Sequence, residues 1–150
     1  MGHNKLAIAA MQFQDIPGVL TLEKGSLSAW NRKHLEDELK QPASFQFVAR
    51  EAESDKILAV LIGRIAADEG EMLKLAVDRS VRQQGIGIQL LDFGLSFCRE
   101  QGVERCYLEL RVSNSQARQL YEKCSFSAVG SRKNYYNSPA EDAILMQRQL

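Results

Sequence analysis

The chain has 150 residues, and its 19 lysines and arginines equal its 19 aspartates and glutamates, so the formal net charge is zero. This length fits one domain over residues 1–150 that buries about 70% of the surface exposed by the unfolded chain. The charge balance excludes a global field that would select nucleic acid or an anionic membrane. Any charged ligand must therefore be recognised locally.

The cysteines and the N-terminal residues favour a cytoplasmic protein. Cys98, Cys106 and Cys124 form no C-x-x-C pair and have no histidine cluster nearby, so we expect reduced, mostly buried thiols and no metal site. Residues 1–6 lead into only a short apolar run, which lacks the core of a signal peptide. No segment approaches the ~20 apolar residues of a membrane span. We expect neither membrane attachment nor a nucleic-acid partner.

The first half of the chain predicts strands and short helices. Asp15 followed by Pro17 is typical of a helix start, and Pro42 stops a second helix. Polar residues 53–55 separate two segments with strand character, which predicts an antiparallel hairpin. The predicted elements are a strand over 6–11, a helix from 16 to near Gly25, a helix over 30–40, and strands over 44–51 and 57–67.

The second half alternates strands and helices. Ser113 with Gln116 forms a capping-box pattern, and the helix that follows carries an apolar stripe of Ala117, Leu120, Tyr121 and Cys124. The predicted elements are a strand over 72–77, a helix over 87–101 closed by Gly102, a strand over 105–111, the capped helix, and strands over 127–134 and 142–148. The resulting order, βααβββαβαββ, predicts a mixed sheet with helices packed against it.

The most informative segment is the turn between the strand 72–77 and the following helix. A helix N-terminus leaves backbone N–H groups unpaired and carries partial positive charge. Gly85 and Gly87 remove side chains that would keep a phosphate from those donors, and Arg82 adds a charge. An ordinary strand-to-helix loop is the alternative. The segment lacks the third glycine of a Rossmann turn and the Gly-Lys-Ser/Thr of a P-loop, so neither dinucleotide nor nucleoside triphosphate is favoured.

Several motifs together resemble the GNAT family of acetyl-CoA-dependent N-acetyltransferases along essentially the whole chain. They are Val77-Asp78, Arg82-x-x-Gly85-x-Gly87, Leu108 to Asn114, Leu120-Tyr121-Glu122, Phe126, Arg132 to Tyr136, and Glu141 to Ala143. The later motifs are similar to the branch that acetylates the N-terminal alanine of ribosomal protein S18. The resemblance implies a mostly antiparallel α/β (α+β) fold, acetyl-CoA as co-substrate, and direct transfer to a primary amine without an acylated cysteine.

The resemblance also implies the cofactor-binding residues. Main-chain groups of the strand end would meet the pantetheine arm, and the turn would hold the pyrophosphate. Asn114 would contact the cofactor near its pantetheine, although the first turn of a capped helix explains it equally well. A solvated surface arginine is likewise the alternative for Arg82. The implied residues are Leu75, Ala76, Val77, Arg82, Gln83, Gln84, Gly85, Ile86, Gly87, Asn114 and Tyr121.

Two catalytic residues follow from the same resemblance. Glu109 matches the general base that takes a proton from the amine, and its alternative is a solvent-facing glutamate beside Arg111. Glu71 is a rival base, at the position used by histone-acetyltransferase relatives. Tyr121 matches the acid that protonates the leaving thiolate, although it could simply be a core aromatic. The N–H of Val77 would stabilise the negative oxygen formed during transfer.

The acceptor is less well defined. Tyr135 and Tyr136 are expected to line the substrate cleft, with an ordinary strand-end aromatic pair as the alternative, and Trp30 is a weaker candidate for the opposite wall. Ser125 replaces a glycine usual in the family, and Ile88 replaces a basic or small polar residue. Three functions remain open: acetylation of the S18 N-terminus, acetylation of another peptide, lysine or small amine, and binding of CoA by a regulatory module without turnover.

Overall fold

A computed structural model describes residues 5–150, and the predicted element order is confirmed. Residues 1–4, on which the expectation of no signal peptide partly rests, lie outside the described part. The elements are β1 (Leu6–Ala10), α1 (Ile16–Leu22), α2 (Arg32–Leu39), β2 (Ser44–Glu51), β3 (Ile57–Ala66), β4 (Glu69–Val77), α3 (Ile86–Glu100), β5 (Arg105–Arg111), α4 (Ser115–Lys123), β6 (Ser127–Tyr136) and β7 (Glu141–Gln149).

The strands form one seven-stranded sheet in the order β1-β2-β3-β4-β5-β7-β6. Every neighbouring pair is antiparallel except β4 and β5, which are parallel, so the expected mixed, mostly antiparallel sheet is confirmed. β4 begins earlier than predicted because Glu69 and Glu71 pair with Ala66 and Arg64 of β3. A second hairpin, between β3 and β4, therefore follows the predicted one.

Helices cover both faces of the sheet. The buried stripe of α3, which includes Leu90, Leu91 and Leu95, packs into a core shared with α4 and one face of β2 to β5. A second core lies under α1 and α2 on the other face, around Ile16 and Leu35. The expected free, buried thiols of Cys98, Cys106 and Cys124 are confirmed, and all three belong to the first core.

Capping explains why α2 starts later than predicted, whereas α1 starts where predicted without a side-chain cap. Asn31 caps α2, since its Oδ1 accepts the N–H of His34 at 2.8 Å, and Trp30 therefore precedes the helix. Asp15 stands at the start of α1, but its side chain accepts from the Gln12 N–H and the Arg50 guanidinium instead of capping. Within residues 5–150, no helix is both long and apolar enough to cross a membrane.

Candidate active site

The parallel strands β4 and β5 separate partway along their length. They pair only from Glu69–Arg105 to Met72–Leu108. On the other side of β4, Met72 pairs with Gly63 and Lys74 with Ile62, so Leu73 is an extra residue that forms a bulge. A bulge bends its strand and increases the local twist. The C-terminal part of β4 therefore diverges from β5, which opens a wedge between the two strands.

Main-chain groups of the β4 end face this wedge. The Asp78 N–H donates to the Leu58 carbonyl on β3 at 2.8 Å. Because successive residues of a strand point their N–H groups in opposite directions, the Val77 N–H points away from β3 and toward the wedge. The Arg82 Nε donates to the Val77 carbonyl at 3.2 Å, so this exposed arginine folds back on the strand end.

The turn after β4 has the backbone of an anion-binding loop. Gln83 and Gly85 both have a positive φ, 64° and 82° respectively. When residues with positive φ alternate with residues with negative φ, the backbone curves and its N–H groups line a concavity that can bind an anion. Gly85 is the N-cap of α3, and no side chain caps its first turn. Gln84 and Ile86 complete the loop. The residues present therefore fit a phosphate group held mainly by main chain.

Gly87 has a packing role that was not predicted. A Cβ at this position would lie 2.7 Å from Leu120 Cδ1 and 3.3 Å from Val77 Cγ2. The missing side chain therefore allows α3, β4 and α4 to meet, whereas its predicted role beside a phosphate stays a prediction. A Cβ at Gly85, in contrast, would meet no described atom within 4 Å.

Asn114 caps α4, and the predicted capping box was wrong. Its Oδ1 accepts the Ala117 N–H at 3.1 Å, so the helix begins one residue later than a Ser113 cap requires. The Ser113 N–H donates to Glu141 Oε2 at 2.7 Å, which draws this residue toward β7. Asn114 is therefore the cap and not a residue of the first turn, and capping occupies only the carbonyl oxygen of its amide.

Glu109 lies at the narrow end of the wedge, immediately after Leu108, the last residue of β5 that pairs with β4. Its side chain is only 11% exposed, so the interpretation as a solvent-facing glutamate was wrong. Oε1 lies 3.3 Å from the Nε of Arg132, and Oε2 is buried without a hydrogen-bond partner among the described residues. An unpartnered carboxylate oxygen at this depth is available to an incoming amine.

Glu71 lies within the paired part of β4, opposite Tyr107. Burial and the nearby charge of Glu109 raise the pKa of Glu71, while Arg64 and Arg132 oppose the shift. The two carboxylates predicted as rival bases are therefore close enough to influence each other.

Tyr121 belongs to the core and lies near Tyr136. Its side chain is 6% exposed and its ring packs edge-on against Phe126 at 5.6 Å. Burial raises the pKa of Tyr121, with a smaller contribution from Cys124 and Tyr136. Its hydroxyl is therefore protonated at neutral pH, as a proton donor must be.

The two predicted substrate tyrosines form a right-angled pair at the end of β6, with ring centroids 5.0 Å apart. Tyr135 is exposed, and its interaction with the nearby Glu109 carboxylate raises its pKa. Tyr136 is half-buried beneath the Arg111 guanidinium, which lies 4.6 Å from the ring centroid. Burial raises the pKa of Tyr136 to about 12.

Arg111 is a site residue that sequence reasoning missed. It is 7% exposed and donates to Ser28 Oγ at 3.0 Å, to the Pro139 carbonyl at 3.0 Å and to the Asn137 carbonyl at 3.2 Å. It also pairs with Glu141 at 3.1 Å. It thereby joins the loop between α1 and α2 to the loop between β6 and β7. The alternation of residues along β5 predicts that Arg111 lies on the same face of the sheet as Glu109. Its partners could not be predicted, because they lie in loops far away along the chain.

The remaining predicted positions are Trp30, Ser125 and Ile88. Trp30 is half-buried against the α1–α2 core, and its main-chain N–H donates to the carboxylate of the buried Glu23 at 3.3 Å. Ser125 has a φ of 68°, so it adopts the left-handed backbone that favours the glycine usual in the family. Ile88 packs partly against the α3 core. Within residues 5–150, no group of three or more histidine, cysteine or acidic side chains is placed to hold a metal ion.

Comparison with known proteins gives consistent matches. The family described as "Acetyltransferase (GNAT) family" matches residues 16–126. A Bacillus subtilis protein provisionally named as a [ribosomal protein bS18]-alanine N-acetyltransferase is 33% identical, with 95% of this chain and 94% of that protein covered. The Escherichia coli [ribosomal protein bS18]-alanine N-acetyltransferase is 29% identical, with 93% and 94% covered.

Solved structures agree in fold. The crystal structure of the Escherichia coli ribosomal-protein-S18-alanine N-acetyltransferase superimposes with a TM-score of 0.85 at 28% identity, covering 97% of this chain and 94% of that one. That of Ard1 from Thermoplasma volcanium gives a TM-score of 0.87 at 27% identity, covering 97% of each chain.

Proposed function

The chain belongs to the acetyltransferase (GNAT) family, whose members use acetyl-CoA, and we propose that it acetylates the N-terminal alanine of ribosomal protein bS18. The names of its relatives in Bacillus subtilis and Escherichia coli support this acceptor. We further propose that residues 1–150 form one catalytic domain and that it acts in the cytoplasm, where ribosomes are assembled.

The donor site is proposed to lie along the wedge and the turn that follows it. Acetyl-CoA supplies an acetyl thioester. Main-chain groups of Leu75, Ala76 and Val77 would bind its pantetheine arm, and the loop from Arg82 to Gly87 would bind its pyrophosphate, with Asn114 and Tyr121 nearby. The paired positive φ angles and the uncapped first turn of α3 support this assignment.

The position of Glu109 carries the catalytic proposal. This carboxylate follows the last residue of β5 that pairs with β4, and one of its oxygens is buried without a partner. An α-amino group has a pKa of about 7.7–8.0 and must lose a proton before it can attack. We assign that proton to Glu109, with Glu71 retained as the rival base. The N–H of Val77, which points into the wedge, would stabilise the negative charge that develops on the acetyl oxygen.

Tyr121 is proposed as the proton donor. Burial keeps its hydroxyl protonated, and its helix packs against the start of α3 through Leu120 and Gly87. Tyr135 and Tyr136 are proposed to line the acceptor cleft, since Tyr135 lies beside Glu109 and Tyr136 is fixed under Arg111.

The test is a thiol-release assay with acetyl-CoA and a peptide that begins Ala-Arg-Tyr-Phe, with mass spectrometry to locate the acetyl group. The same peptide with a formylated N-terminus is the matched control. We expect release of CoA with the free peptide and none with the blocked one. Turnover only with lysine side chains or small amines would favour another acceptor, and CoA binding without any thiol release would contradict an enzymatic role.

A further inference from the structure

The side chains around Glu109 contain more acidic groups than available cations. Arg64 is hydrogen-bonded to Glu38 at 2.6 Å, and Arg111 is paired with Glu141 at 3.1 Å. Among the described side chains that act on the Glu71–Glu109 pair, this leaves Arg132 to balance two carboxylates. One negative charge of the pair is therefore uncompensated, which agrees with the raised pKa of Glu71.

Arg132 reaches this pair from the open side of the sheet. It lies on the edge strand β6 and its side chain is 57% exposed, whereas the side chain of Glu109 is 11% exposed. Its guanidinium lies 5.6 Å from the ring centroid of Tyr135, which is also exposed. An exposed arginine can turn away without disturbing the core. The ion pair thus places an exposed, movable cation on the carboxylate that is proposed to receive the amine's proton.

We propose that Arg132 is an exchangeable counter-ion that pairs with Glu109 in the free protein and with Glu71 once the acceptor's ammonium has paired with Glu109. The inference rests on the proposed function, because it takes Glu109 as the base. The ammonium N–H bond breaks as its proton forms an O–H bond with the Glu109 carboxylate, and the nitrogen lone pair becomes free to attack. Arg132 then balances Glu71, the carboxylate that remains charged.

This exchange keeps the ammonium from being held by two carboxylates at once. Without Arg132, both negative charges act on the ammonium, so it binds more tightly and gives up its proton less readily. A unit charge within about 4–6 Å shifts a pKa by about 1–3 units. Arg132→Gln is therefore expected to lower the acceptor KM about threefold or more and to lower kcat about tenfold or more, because each pKa unit corresponds to about a tenfold change.

The kinetic test compares Arg132→Gln, Glu71→Gln and the double variant, using the amine that the wild-type protein accepts. Lys133→Gln is the matched control, since it removes an exposed charge from the next residue of β6. We expect the double variant to recover the kcat of Glu71→Gln to within about threefold. A raised KM with unchanged kcat in Arg132→Gln, or effects that are additive in the double variant, would overturn the proposal.

An NMR titration of the Glu71 carboxylate provides a readout that does not need turnover. Arg132→Gln should move this titration to higher pH, and binding of the acceptor peptide with CoA should move it to lower pH in the wild type. An unchanged titration in either experiment would overturn the counter-ion exchange. Failure to acetylate the alanine peptide would instead contradict the proposed acceptor. The titration would then be repeated with the amine that the protein does accept, and its result would still decide whether Arg132 exchanges between the two carboxylates.

Discussion

Replacing Arg111 with methionine tests whether this residue holds the α1–α2 loop and the β6–β7 loop together. The change keeps an apolar stem but removes the donors to Ser28, Asn137 and Pro139. A hydrogen bond from a charged group contributes about 1.5–3 kcal/mol. Counting only the two carbonyl bonds, each at about 1.5 kcal/mol, we expect Arg111→Met to lower the free energy of unfolding by about 3 kcal/mol.

Urea unfolding and steady-state kinetics measure the two consequences. Because the freed loops border the proposed acceptor cleft, the KM for the acceptor should rise about tenfold or more, as a loss of about 1.4 kcal/mol in acceptor binding requires. The KM for acetyl-CoA should stay within about twofold. Arg118→Met is the control, since this arginine forms an exposed helix pair with Glu122 at 3.7 Å and should change stability by less than about 0.5 kcal/mol. A loss below about 1 kcal/mol in Arg111→Met, with unchanged KM values, would refute the reasoning.

Three further substitutions test the donor side and the catalytic residues. Glu109→Gln should lower kcat by about 10²–10⁴-fold without changing the affinity for acetyl-CoA. Near-normal turnover in Glu109→Gln together with a large loss of kcat in Glu71→Gln would reverse the two assignments. Tyr121→Phe should slow transfer in a folded protein, as circular dichroism can verify, and unchanged rates at saturating substrate would count against the acid role. Gly87→Ala should destabilise by about 1–3 kcal/mol because its methyl group meets Leu120, and an unchanged Tm would show that the contact relaxes freely.

Elements defined by local periodicity were predicted well. The bounds of β5 agree with the prediction because Cys106, Leu108 and Leu110 alternate with polar residues over the whole strand. The start of β4 was missed because its first residues, Glu69 to Glu71, carry no apolar pattern. They are strand because they pair with β3 and β5, and such pairing is not local in sequence.

The candidate site likewise contains residues that could be predicted from the sequence and residues whose roles depend on tertiary contacts. The candidate positions Val77, Gly85 and Glu109 could be predicted because the motifs that contain them resemble those of the family. The connections of Arg111 could not, since Ser28 lies 83 residues away and only the folded loops bring the two together. The reason for Gly87 also depends on tertiary packing, because the side chain it must accommodate, Leu120, belongs to another helix.

The bulge at Leu73 bears on the choice between the two carboxylates. Before it, β4 is paired on both sides, so its main chain offers no free donor near Glu71. Beyond it, the Val77 N–H points into the wedge, and only there can main chain stabilise charge on an acetyl oxygen. An attacking nitrogen must approach that same carbon, which favours Glu109, the carboxylate at the narrow end of the wedge. We therefore propose that Glu109 takes the proton, while Glu71 acts through its charge on Arg132 and on the bound ammonium.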